Sequence, residues 1–125
     1  KVLNFEGETS CYVQYTCARA NSVLEKGGAE RCCAPETVTP QEFEVIKKLA
    51  EFPDVLKNAL EKYEPCFIAR YCVDLAQLYN KFYFDCSILN AEEPTRSFRL
   101  ALTESVLITL KNGLGLLGIG VPSKM

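Results

Sequence analysis

Apolar positions along the chain recur at helical spacing, and convincing strand alternation appears nowhere. In the stretch GETSCYVQYTCARANS, Gly7 to Ser22, Val13, Cys17, Ala20 and the following Leu24 fall within roughly 60° of one another at about 100° per residue, the geometry of a buried stripe. Tyr12, Tyr15 and Arg19 make a second stripe of similar width, about 130° away, which no core requires. The pattern predicts one helix, capped by Thr9 or Ser10 and stopped by Gly27-Gly28, with a left-over aromatic and cationic face. GGAERCCAPETVTP follows without periodicity and with two prolines, and predicts a long loop.

Thr39-Pro40-Gln41-Glu42 is a helix start: Thr39 caps, Pro40 suits the first helical position and Glu42 completes a capping box. Phe52-Pro53-Asp54 restarts the chain as a short helix through about Lys62. Pro65 opens a longer helix in which Ile68, Leu75 and Phe82 repeat every seven residues, with Tyr71, Cys72, Leu78 and Tyr79 as companions. After a polar turn from Asn90 to Pro94, Leu100, Leu107 and Leu114 keep the same register with Thr103, Leu110 and Leu117. The expected architecture is an all-α bundle of four or five helices with antiparallel neighbours and a long loop after the first.

At 125 residues with 48% hydrophobic content, the chain suits one domain, residues 1–125, with its own core. Its formal charge of −2 means that any polyanion must be met by a local patch, and it argues against nonspecific coating of DNA. The region from Glu36 to Glu64, with seven acids against four lysines, should turn its outer face away from such a ligand. No apolar run is long enough for a membrane span and no signal peptide opens the chain, so a cytoplasmic protein without a membrane partner is expected. Lys1 opens a segment that reads like mid-protein sequence, which suggests a fragment of something longer.

The chemical inventory is thin. Without histidine, Ser-His-Asp and Cys-His nucleophile systems are excluded. The seven cysteines are odd in number and lack a C-x-x-C, so they read as small buried thiols rather than as disulfides or a metal site; Cys32 and Cys33 lack an obvious activating base. GLGLLG, residues 113–118, is a literal G-x-G-x-x-G, but it closes a helix instead of following a strand; Gly118 reads as a cap, and Gly113 and Gly115 as sites of close helix packing. What remains is Tyr12, Tyr15, Arg19 and Tyr83, each outside the apolar stripe of its helix, a combination suited to stacked anionic ligands such as single-stranded nucleic acid.

Three segments carry a resemblance that spans nearly the whole chain. FEGETSCYVQYTCARANSVL resembles the F-E-G-[ED]-T-G-P-Y-[LV]-Q-Y-[AT]-x-A-R segment of the anticodon-binding domain of arginyl-tRNA synthetases, departing from it at Ser10-Cys11. LAQLYNKFYFDCSIL is similar to that family's L-[AT]-x-x-[FY]-N-x-F-Y-x-x-C-x-[VI]-L, and RLALTESVLITLKNGLGLLGIGVPSKM to its carboxyl end, with Arg99-Leu100-Ala101-Leu102 standing for the DALR label of the domain type. The resemblance implies a helical bundle that holds the anticodon loop of arginine tRNA through Gly7, Tyr12, Tyr15, Arg19, Tyr83 and Met125, with Lys81 or Lys111 helping if they share that face. It further implies a partner catalytic domain that uses ATP and magnesium; the His-Ile-Gly-His and Lys-Met-Ser-Lys-Ser type motifs of that domain are not in this chain, which is expected to bind no cofactor and to be inactive alone. The contrasting reading is a helical protein-interaction module with an exposed aromatic stripe.

Overall fold

The computed structural model describes residues 8–27, 39–86, 88, 90 and 95–118, with side chains from Cys11 onward. It contains five helices: α1 (Glu8–Gly27), α2 (Pro40–Ala50), α3 (Phe52–Lys62), α4 (Cys66–Asp85) and α5 (Thr95–Leu116). No strand occurs among the described residues. Helix α4 is the hub, packing on each of the other four, while α5 also packs on α1 and α2. The long loop expected after the first helix lies outside the described residues.

The heptad residues on α4 and α5 do what their spacing demands. Ile68, Leu75 and Phe82 of α4 are buried with Leu100, Leu107, Leu110 and Leu114 of α5, and Val13, Cys17 and Ala20 of α1 close the core against them. Two glycine expectations separate at this interface. A methyl group on Gly113 would stand 2.5 Å from Cys72 Sγ, so glycine there permits close approach of α5 to α4. Gly115 meets nothing within 4 Å, which corrects the packing role expected for it: two residues on, it has rotated about 200° to the far side of the helix. Gly118, at φ 79°, supplies the left-handed backbone that ends the chain's last described turn.

Helix starts differ in how they are made. At α2 the expected capping box is present: Thr39 Oγ1 accepts from the Glu42 backbone N–H at 3.2 Å, and Glu42 Oε1 accepts from the Thr39 N–H at 2.8 Å. Helix α1 begins at Glu8, so Thr9 and Ser10 lie inside it and neither is its cap, contrary to expectation.

Glu42 does a second job. It is almost fully buried, and its Oε2 accepts from Arg99 Nε at 2.6 Å, clamping the start of α2 onto α5. One carboxylate therefore satisfies an orphan helix donor and neutralises a guanidinium. Replacing Glu42 with Ala should lower unfolding stability by roughly 1–3 kcal/mol, because the bond to the Thr39 N–H and the contact with Arg99 Nε are lost together. A shift in the urea midpoint checks this, and unchanged unfolding would show that the clamp contributes nothing.

Candidate nucleic-acid interface

The left-over stripe of α1 is made of positions 12, 15, 16 and 19, which occupy one helical face at i, i+3, i+4 and i+7. On α4, Asn80, Tyr83 and Phe84 stand at i, i+3 and i+4 and form the matching face. Where the two faces meet, the inner residues are buried and the outer ones reach solvent. Thr16 and Asn80 are buried, while Tyr12 is 37% exposed, Tyr15 49% and Phe84 72%. Arg19 and Tyr83 are half-buried between them.

Arg19 sits at the centre. Its guanidinium carbon lies 4.7 Å from the Tyr83 ring centre and 5.0 Å from those of Tyr15 and Phe84. Nη1 donates to Asn80 Oδ1 at 2.7 Å and Nη2 to Tyr15 Oη at 3.2 Å. No carboxylate pairs with it among the described residues, so its charge is compensated only by ring faces and neutral acceptors.

The hydrogen bonds around Asn80 form a consistent set. Arginine only donates, so the atom facing it must be the amide oxygen. The amide nitrogen then gives one hydrogen to Tyr12 Oη at 2.9 Å and the other to Thr16 Oγ1 at 3.0 Å. Thr16 is able to accept because its own hydroxyl hydrogen goes to the Tyr12 carbonyl at 3.0 Å. Tyr83 and Phe84 meet edge to face at 5.5 Å, so the aromatic group is continuous across the end of α4.

Of the residues expected at the site, the structure brings together Tyr12, Tyr15, Arg19 and Tyr83; Gly7 and Met125 lie outside the described residues. Tyr83 is less exposed than its position off the seam suggested, because it leans on Tyr79 and under Arg19. Lys81 pairs with Asp85 at 3.7 Å, and Lys111 stands close enough to Cys17 to influence its titration, on the core side of α1. Sequence reasoning missed Asn80 and Phe84. The available signal was their i, i+3, i+4 relation to Tyr83, which places all three on one face.

Other chemistries find no support among the described residues. No group of three or more potential metal ligands occurs there, and no helix is long and apolar enough to cross a membrane. The G-x-G-x-x-G segment lies within the end of α5 and the turn after it, as its reading as a helix end requires. Cys32 and Cys33 lie outside the described residues. Burial pushes the Cys17 thiol up to about 11 and the Cys72 thiol up to about 12.

The fold and the cluster together define an all-α domain with a ring-and-guanidinium surface at the α1–α4 seam. The family described as DALR anticodon binding domain matches residues 13–125, and the chain belongs to that family. It is 43% identical over 125 residues to the arginine–tRNA ligase of Pediococcus pentosaceus, a match that spans 99% of this chain and 22% of that protein. Against the arginine–tRNA ligase of Lactiplantibacillus plantarum it is 44% identical over 127 residues, again covering 22% of the relative. Among solved structures, the arginyl-tRNA synthetase of Thermus thermophilus superposes with a TM-score of 0.87 at 38% identity, over 98% of this chain and 22% of that one. The chain thus spans less than a quarter of the length of these relatives.

The raised thiol values have a measurable consequence. A proton held more tightly in the native than in the unfolded state stabilises the fold below the ordinary thiol pKa, so Cys17 should cost stability as pH rises from 9.0 toward about 11. At pH 8 iodoacetamide should label the exposed Cys11 and Cys66 and spare Cys17 and Cys72. Mass spectrometry of the alkylated protein checks this; rapid labelling of Cys72 would mean that the core opens.

Proposed function

We propose that this chain is the part of an arginine–tRNA ligase that recognises the anticodon loop of arginine tRNA. The carrying observation is Arg19, unpaired with any carboxylate among the described residues and ringed by Tyr15, Tyr83 and Phe84 at the surface. Bases of an anticodon loop are already unstacked, so they can lie on exposed rings, while a guanidinium meets a phosphate or base edge. Each base–ring stack contributes roughly 1–3 kcal/mol. Membership of the anticodon-binding family and likeness to proteins named arginine–tRNA ligases support this reading.

Residues 1–125 act as one recognition domain, and the arginine-activating chemistry, with its ATP and magnesium, belongs to the remainder of a longer enzyme. The absence of histidine supports that division, since the His-Ile-Gly-His type motif cannot be built here. No arginine-dependent ATP–pyrophosphate exchange is expected from the chain alone. Gly7 and Met125 keep the contact roles that the resemblance implies.

Titration with an arginine anticodon stem-loop tests the reading. Affinity should fall as salt rises, and replacing the central cytosine of the anticodon should weaken binding. Tyr12→Ala and Arg19→Ala should each lower affinity roughly 5- to 100-fold with helix content unchanged, as loss of a base stack or a charged contact requires. Binding that ignores both salt and anticodon sequence would favour a protein-interaction module, and parent-like binding by both variants would remove the stripe from the site.

A further inference from the structure

Resting on the reading of this surface as an anticodon contact, we infer that Asn80 is its positioning residue, fixing Arg19 and Tyr12 together before RNA arrives. The amide belongs to α4, whereas both groups it holds belong to α1. It is only 8% exposed, so it has no direct part in gripping a ligand. Its three polar contacts use the oxygen and both amide hydrogens, and each lies at 2.7–3.0 Å.

Leucine at this position would pack between the helices and leave Arg19 free to sample many rotamers. An arginine that must be ordered on binding loses that freedom at the expense of affinity; one already ordered does not. Asn80 holds one end of the guanidinium, so the cation stays under Tyr83 and beside Tyr15 and Phe84. The same amide fixes the Tyr12 hydroxyl and thereby the direction in which its ring extends. Aspartate would keep the Arg19 contact and cancel its charge. Only a neutral amide both orients the cation and leaves it positive, because it accepts from Arg19 without carrying a negative charge of its own.

The test is a binding cycle on the arginine anticodon stem-loop with the parent chain, Asn80→Ala, the pair Tyr12→Phe with Arg19→Ala, and all three changes together. Asn80→Ala should weaken binding about tenfold in the parent and by less than about twofold once Tyr12 and Arg19 are already altered. An equal factor in both backgrounds would reduce Asn80 to general support of the fold and overturn the assignment. Asn80→Asp, which preserves shape, should lower the slope of log affinity against log salt by about one, and an unaltered slope would count equally against it. Nitrogen-edited NMR of the free parent gives a reading that needs no variant: Arg19 guanidinium N–H signals should be resolved and slowly exchanging, and signals like those of exposed Arg70 would overturn the inference. If the parent fails to bind the stem-loop at all, the anticodon reading falls and this role with it; binding with equal factors sinks the role of Asn80 alone.

Discussion

A side-chain amide buried between two helices must find partners for its oxygen and its nitrogen or destabilise the fold. At Asn80 that requirement determines which face of α1 meets α4. The amide needs an acceptor, a donor and a further acceptor at fixed directions, and Arg19, Tyr12 and Thr16 supply them from successive turns of α1. Any rotation of α1 about its axis would break all of these contacts together. The apolar seam on the other side of α1, with Val13, Cys17 and Ala20 in the core, is tolerant of small slips because dispersion contacts are not directional. The polar contact therefore sets the angle at which the aromatic surface is presented.

The two arginines nearest the recognisable motifs divide their labour along the same line. Arg99, the residue that opens the DALR label segment, is half-buried against the carboxylate of Glu42 and holds α5 to the start of α2. Leu100 and Leu102 beside it are core residues, so the label of the family is a statement about packing. Arg19 is matched to rings and a neutral amide, and no carboxylate pairs with it among the described residues. The two guanidiniums differ in the partner each has been given, a carboxylate for Arg99 and rings with a neutral amide for Arg19.

Most of the helices were legible because their signals are local. The Thr39-Pro40-Gln41-Glu42 box, the Phe52-Pro53 restart and the leucine spacing of α5 each depend on residues within a turn or two of one another, and each is found where expected. The start of α1 differs from the expectation because Thr9 and Ser10 already lie within the helix, which includes Glu8. Gly115 departs from the packing role expected of it because, two positions from Gly113, it faces the other side of the helix. In the site, Tyr12, Tyr15 and Arg19 stood out by their distance from the apolar stripe, but Asn80 did not, since a polar residue on an amphipathic helix reads as solvent-facing. Its burial depends on a partner sixty-one positions away in Arg19, a long-range fact that periodicity does not encode.

The net charge of −2 no longer opposes binding of a polyanion once the placement of charge is considered. The acid-rich stretch contributes α2 and α3, which meet α4 around Tyr71, where Phe52 packs tilted against the ring and the Lys48 backbone carbonyl accepts from its hydroxyl. Tyr71 and Asn80 are nine positions apart on α4, about 180° around the helix axis, so the acids and the Arg19 cluster lie on opposite sides of it. At physiological ionic strength charges separated by more than about 8 Å are largely screened from one another. Among the described residues, the α1–α4 seam accordingly presents the Arg19 guanidinium and the faces of several rings. On the proposed reading, a weakly charged surface of this kind suits a strand whose bases are already exposed better than a duplex held by its phosphates.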